Sequence, residues 1–175
     1  MGERLDQPAS LRRPTVETKN AAAEMEMAHA AIGGFVARCS LLDYRVSQFV
    51  ARWFCSGEKQ KFLSYTLKAM PFAEKRQVIE ERLSAWHGDS DALRSAMVEI
   101  AAILQRRNLV SSGILSRRSS GSLCIKSFSG ARFILDDEVP DIVDIADLRE
   151  LSERATELAE RLVALAAGLK NLQEA

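Results

Sequence analysis

The chain has 175 residues, of which 47% are hydrophobic and 27% are charged, a composition ordinary for one globular domain. Lysine plus arginine and aspartate plus glutamate both number 24, so no net charge draws the chain to nucleic acid or to an anionic membrane. Three widely spaced cysteines, without a C-x-x-C pair, argue against a disulfide framework and against a thiolate zinc site.

The N-terminus has no apolar stretch of signal-peptide length, and no later window approaches the roughly 18 apolar residues of a membrane span. We therefore predict a cytoplasmic location and no membrane association. Residues 1–15 are polar and without a period, which predicts a flexible leader. Residues 16–175 are predicted to form a single helical domain.

Apolar residues recur at helical spacing from residue 16 onward. Gly33-Gly34 is expected to be a helix break or a close-packing point, and Ser56-Gly57 is expected to end the first helical region. The stripe between these two points consists of Phe35, Cys39, Leu42, Val46, Phe49 and Trp53.

Further helices are predicted over residues 58–70 and 72–86, separated by Pro71, which fits poorly inside a helix. Asp89 or Ser90 can cap the next helix, which should start near residue 91. The inward side chains of that helix are predicted to be Leu93, Met97, Ile100 and Leu104.

Arg107 continues this last stripe. At 100° per residue it lies only about 20° from Ile100 around the helix axis. An arginine on an apolar face is costly unless that face opens into a cleft or a partner supplies acceptors. The stretch Q-R-R-N-L-V-S-S-G is therefore either a capped helix end or a functional site.

Alternating apolar residues on both sides of Ser129-Gly130 predict a β-hairpin at about residues 121–136. The final helix carries a leucine-rich seam that could be buried in a bundle or across a dimer. Together these patterns predict an all-α, up-and-down helical bundle with an inserted β-hairpin. The seam consists of Leu148, Leu151, Ala155, Leu158, Leu162, Leu165, Leu169 and Leu172.

Charge is unevenly distributed between two neighbouring segments. Residues 136–147 carry six acidic residues and no basic one, whereas residues 106–132 carry six basic residues and no acidic one. The basic segment is either a footprint for a phosphate backbone or the neutralising partner of the acidic segment. Its six residues, our candidate nucleic-acid-binding set, are Arg106, Arg107, Arg117, Arg118, Lys126 and Arg132.

Candidates for metal or cofactor chemistry are few. Neither His29 nor His87 has a second histidine or a cysteine at helical spacing, so we expect no metal site. No phosphate-loop, nucleophile-elbow or dinucleotide-binding fingerprint occurs, and we expect no cofactor. Asp43 lies beside the first apolar stripe and is expected to form an ion pair with an arginine from another helix.

The motif beginning at Arg107 resembles the R-N-x-x-x-H-G signature of the HEPN superfamily of small helical bundles. The stretches L-L-D-Y-R and F-A-E-K are similar to other parts of the family's pattern. The resemblance covers about residues 30–170. It implies a relationship to metal-independent endoribonucleases of prokaryotic defence and toxin–antitoxin systems.

Carried over by position, the resemblance makes Arg107, Asn108 and Ser112 a degenerate catalytic site, with Gly113 closing the turn. Ser112 stands where the family has its histidine. Metal-free RNA cleavage needs a general base, and serine cannot serve as one at neutral pH. The loss of such a group typically removes about two to four orders of magnitude of rate.

Three functions stay open at this point. The preferred one is a degenerate HEPN-like protein that binds RNA, a nucleotide phosphate or a protein partner. The others are an active, metal-independent endoribonuclease that uses Arg107, and a structural helical dimerisation module. The cost of burying an unpaired arginine inside one bundle also predicts a homodimer with Arg107 at its interface, an arrangement that the resemblance implies as well. The alternative is an intrachain pair of Arg107 with Asp43. The resemblance further implies a possible nucleotidyltransferase-type antitoxin partner.

Overall fold

In the computed structural model, residues 16–83, 89–127 and 141–167 are described, with their side chains from residue 20 onward except those of Ser127 and Asp141. Five helices and one three-stranded antiparallel sheet occur in these ranges. The mostly helical class with a small β element is confirmed, and the up-and-down order of the helices stays a prediction. The helices are α1 (Val16–Arg52), α2 (Gly57–Leu67), α3 (Phe72–Arg82), α4 (Ser90–Ser112) and α5 (Asp147–Ala167); the strands are β1 (Ile114–Arg117), β2 (Leu123–Ser127) and β3 (Asp141–Asp144).

The long helix α1 is the element against which the other helices pack. Its predicted stripe is buried from Phe35 to Phe49, and Trp53 is half-buried with its ring edge against Phe49. The predicted break at Gly33-Gly34 is wrong, because α1 runs through both glycines without interruption. Neither is a close-packing point: a methyl group at Gly33 would meet nothing within 4 Å.

Helix α5 covers α1 and also contacts α4. Leu148, Ala155, Leu158 and Leu162 are buried, so the described part of the leucine-rich seam is used inside the chain. Leu169 and Leu172 lie outside the described residues. No helix in the described ranges is both long enough and apolar enough to cross a membrane.

Helix α4 begins as its sequence predicts. The Asp89 carboxylate caps it by accepting a hydrogen bond of 2.8 Å from the backbone N–H of Ala92. The predicted inward residues Leu93, Met97, Ile100 and Leu104 are all buried.

The described β structure has more strands than the one hairpin that the sequence predicts. β2 pairs with β1 before it and with β3 after it, both antiparallel. The tight turn lies between β1 and β2, where Gly121 adopts a φ of 92° that favours glycine. Residues 128–140, with the predicted turn at Ser129-Gly130, lie outside the described residues. The predicted first strand is present as β2, and the pairing of the predicted second strand stays a prediction.

Candidate anion-binding cleft

Arg107 lies at the end of the buried α4 stripe and is itself only half-buried. Its side chain lines a cavity of about 510 Å³. An arginine on an apolar face was expected to need a cleft, and this cavity is such a cleft. The cavity lies between the last turns of α4 and the connection from α2 to α3, with Asp43 of α1 contributing to its wall.

The Arg107 guanidinium is held by its neighbour in the chain. Nε and Nη2 donate hydrogen bonds of 3.2 and 2.9 Å to Asn108 Oδ1. A guanidinium has five N–H groups in a planar fork, so three remain for a ligand. Asn108 also lines the cavity, and it orients Arg107 without neutralising its charge.

Ser112 is not among the residues that line this cavity. Helix α4 continues to Ser112, and five residues along a helix correspond to about 140° around the axis from Arg107. The Ser112 hydroxyl donates a hydrogen bond of 2.8 Å to the Asn108 carbonyl oxygen, one turn back. The structure thus brings Arg107 and Asn108 together in the cleft, whereas Ser112, one turn beyond Asn108, is not part of the lining.

Gly113 directly follows α4, as predicted, and it is needed for space rather than for an unusual φ. A methyl group there would lie 2.8 Å from the Leu109 carbonyl oxygen and 3.0 Å from that of Lys126, and closer still to Ile125 Cγ2. The helix end therefore packs directly on β2.

Asp43 forms its ion pair with a lysine, so the prediction of an arginine partner is wrong. Lys75 Nζ lies 2.9 Å from Asp43 Oδ1, and the Lys75 side chain is fully buried. Among the described residues, Arg107 makes no ion pair with Asp43. Lys75 is placed inward because it lies four residues before buried Ile79 on the inner face of α3.

Lys68, which follows α2, is a second cation in the cleft that sequence reasoning missed. It is exposed and forms no ion pair with any described residue. No periodic pattern singles it out in the sequence, because it reaches the cleft only through the turn before Pro71. Gln105 and Phe72 also line the cleft, and they add an amide and an aromatic ring to it.

The remaining members of the basic segment are dispersed. Arg117 pairs with Glu24 of α1, with Nη2 2.7 Å from Oε2, and this hydrogen bond lowers the pKa of Glu24. Arg118 Nη2 lies 3.0 Å from Asp144 Oδ1, although that oxygen accepts no hydrogen bond of good geometry. The second pair joins the basic and acidic segments, which supports partial neutralisation of one by the other.

Arg106 is exposed, Lys126 is half-buried between Ile114 and Ile142 in the sheet, and Arg132 lies outside the described residues. His29 is exposed on α1, and His87 also lies outside the described residues. Within the described ranges, no three His, Cys, Asp or Glu side chains are grouped to hold a metal ion.

In comparisons with known proteins, the chain matches no family model, no curated protein and no solved structure.

Proposed function

We propose that this chain is a non-catalytic or very weakly active HEPN-like protein that binds the phosphate groups of RNA or of a nucleotide in the cleft beside Arg107. One observation carries the proposal. Arg107 and Lys68 line the same cavity, and neither forms an ion pair with a described carboxylate. The carboxylate in that lining, Asp43, already has Lys75 as its counter-ion.

The chemistry of the two cations suits a phosphate oxygen. Arginine presents several N–H groups in one plane, and charge-assisted hydrogen bonds from it to phosphate are stronger than neutral ones. Asn108 holds the guanidinium plane in place before a ligand arrives, which lowers the entropy lost on binding.

Two features support a weak or absent nuclease activity. None of the described residues that line the cleft is a histidine, and Ser112 uses its hydroxyl proton on the Asn108 carbonyl. A guanidinium can stabilise negative charge on phosphate, but it cannot take the proton from a 2′-hydroxyl.

The partners implied by the resemblance belong to the same proposal. They are a second copy of the chain facing Arg107, and a nucleotidyltransferase-type antitoxin in a toxin–antitoxin or defence setting. Arg107 needs a dimer partner less than its place on the apolar stripe suggested. Arg107 already has an acceptor in Asn108 and an opening to the cavity.

Binding of a short, fluorescently labelled single-stranded RNA to the full chain tests the proposal. We expect Arg107→Ala and Lys68→Ala each to weaken binding about tenfold, since each loses a hydrogen bond to a charged group. Arg94→Ala is the matched control. It removes the same charge from the same helix, about 20 Å further along the axis. Equal effects of Arg94→Ala and Arg107→Ala would refute the cleft as the binding site.

Cleavage of the same RNA separates binding from catalysis. The wild-type chain should cleave no faster than Arg107→Ala, whereas Ser112→His should gain activity if the rest of the site is competent. Cleavage by the wild type that depends on Arg107 and resists chelators would overturn the non-catalytic proposal.

A further inference from the structure

The wall of the cleft contains one carboxylate oxygen that is available to a ligand. Lys75 Nζ donates its hydrogen bond to Asp43 Oδ1, and no described residue donates one to Oδ2. The Asp43 side chain is 20% exposed and faces the same cavity as Arg107 and Lys68. A ligand in this cavity can therefore contact both a cation and an anion.

Lys75 is the counter-ion of this carboxylate. Its side chain has 0% exposure, and a buried ammonium without a counter-ion is strongly unfavourable. An ionised carboxylate only accepts hydrogen bonds. Asp43 thus favours ligand groups that carry N–H or O–H donors and disfavours bare acceptors such as a ring nitrogen.

The remaining lining suits the other parts of a nucleotide. Phe72 offers a half-buried aromatic ring for a base to lie against, and base–aromatic stacking is favourable for every base. Lys68 and Arg107 provide the phosphate contacts. A volume of about 510 Å³ lies within the range of about 300–1,000 Å³ that small-molecule sites have.

We infer that the base selected at Asp43 is guanine, so that the cleft holds a guanine nucleotide, free or within single-stranded RNA. Guanine presents its N1–H and its exocyclic amino group side by side. The Asp43 carboxylate can accept both, one at Oδ2 and the other at the second lone pair of Oδ1, beside the Lys75 contact. Adenine places an acceptor nitrogen next to its amino group, which the charged Asp43 repels. This inference rests on the proposed phosphate site, because the phosphate fixes which edge of the base reaches Asp43.

Titration calorimetry of the full chain with GMP, IMP and AMP tests the inference. IMP is the matched control for GMP, because it differs from GMP only in lacking the exocyclic amino group of the base. We expect GMP to bind at least about tenfold more tightly than IMP, the effect of one hydrogen bond to a charged acceptor, and AMP to bind more weakly than GMP.

A double variant links the preference to Asp43. Asp43→Asn together with Lys75→Met removes both charges at once and leaves no unpaired buried ammonium, which preserves the fold. In this variant the ratio of GMP to IMP affinity should fall towards one. The advantage of GMP over guanosine, which depends on Arg107 and Lys68, should persist.

The two proposals fail in different ways. Equal affinity for GMP and IMP, or RNA binding that depends on Arg107 without any GMP binding, would overturn the guanine inference alone. Equal affinity for GMP and guanosine in the wild-type chain would remove the phosphate site and with it both proposals.

Discussion

Lys75 Nζ lies 2.9 Å from Asp43 Oδ1, and this contact joins the inner face of α3 to α1 beside the cleft. The lysine is fully buried and the aspartate is one-fifth exposed, so the two charges share a poorly solvated site. Burial of such a pair is expensive, and its net effect on stability is small compared with the effect of breaking it. The pair therefore holds the cleft wall in place more than it adds to the stability of the chain.

Replacement of Asp43 alone should lower the free energy of unfolding far more than replacement of Asp43 and Lys75 together. We expect Asp43→Ala to lower the free energy of unfolding by about 3 kcal/mol, because Lys75 would remain buried without a counter-ion. The additional change Lys75→Met should recover most of this loss. Urea unfolding followed by circular dichroism measures both values.

The exposed pair of Arg76 and Glu80, with Nε 2.8 Å from Oε1, supplies the control. Glu80→Ala should change the unfolding free energy by less than about 0.5 kcal/mol, since exposed ion pairs contribute little. Similar losses for Asp43→Ala and Glu80→Ala would show that Lys75 is not dependent on its partner.

Gly113 is predicted to be intolerant of any side chain. Gly113→Ala should destabilise the chain by about 1–3 kcal/mol, because its methyl group would overlap Ile125 and the Leu109 and Lys126 carbonyl oxygens. The junction between α4 and β2 would have to separate to relieve the contact. The midpoint of thermal unfolding gives the measurement.

Gly33→Ala is the control for Gly113→Ala, and we expect it to change stability in the opposite direction. Gly33 lies in the interior of α1, is exposed and has nothing within 4 Å of an added methyl group. Alanine there should stabilise the chain by about 0.5–1 kcal/mol through helix propensity. Destabilisation by Gly33→Ala would mean that α1 is not continuous at this point.

The apolar periodicity was sufficient to predict the buried face of α4 and the unusual position of Arg107. The same reasoning applied to α3 would have found Lys75, which shares the four-residue spacing of Ile79 and Leu83, both buried. A charged residue on an apolar stripe is thus informative for lysine as well as for arginine.

Other features of the cleft could not be read from the sequence. The pairing of Asp43 with Lys75, like that of Arg117 with Glu24, joins residues distant in the chain and depends on how helices pack. The partners of β2 depend equally on tertiary packing, since short strands have little intrinsic preference for one neighbour. Helical spacing predicted the buried face of a helix, but it did not predict which helix packs against that face.

Salt dependence of RNA binding should distinguish the basic residues by their ion pairs. Arg106 is exposed and pairs with no described residue, so Arg106→Ala should lower the log–log slope by up to about 0.7 for single-stranded RNA. Arg117 and Arg118 are already paired with Glu24 and Asp144, and their replacement by alanine should lower the slope less per residue. Affinities measured over a series of salt concentrations give the slopes.

The single change Glu24→Gln, which leaves Arg117 in place without its counter-ion, is the converse experiment. If the ion pair restrains Arg117, its release should raise the slope slightly. A larger loss of slope from Arg117→Ala than from Arg106→Ala would contradict this order and favour a phosphate contact at the turn between β1 and β2.

Cys39 should make the chain less stable at alkaline pH. Burial raises the pKa of its thiol from about 9 to about 11, against a smaller opposing effect of the Arg107 charge. Between these values the unfolded chain releases the thiol proton while the folded chain keeps it. The free energy of unfolding should therefore fall as pH rises through this window, by up to about 1.4 kcal/mol per pH unit from this group. Urea unfolding at several pH values measures the slope, and Cys39→Ala, which has no thiol to ionise, should have a shallower one. Identical slopes for the two chains would show that Cys39 titrates alike in the folded and unfolded states.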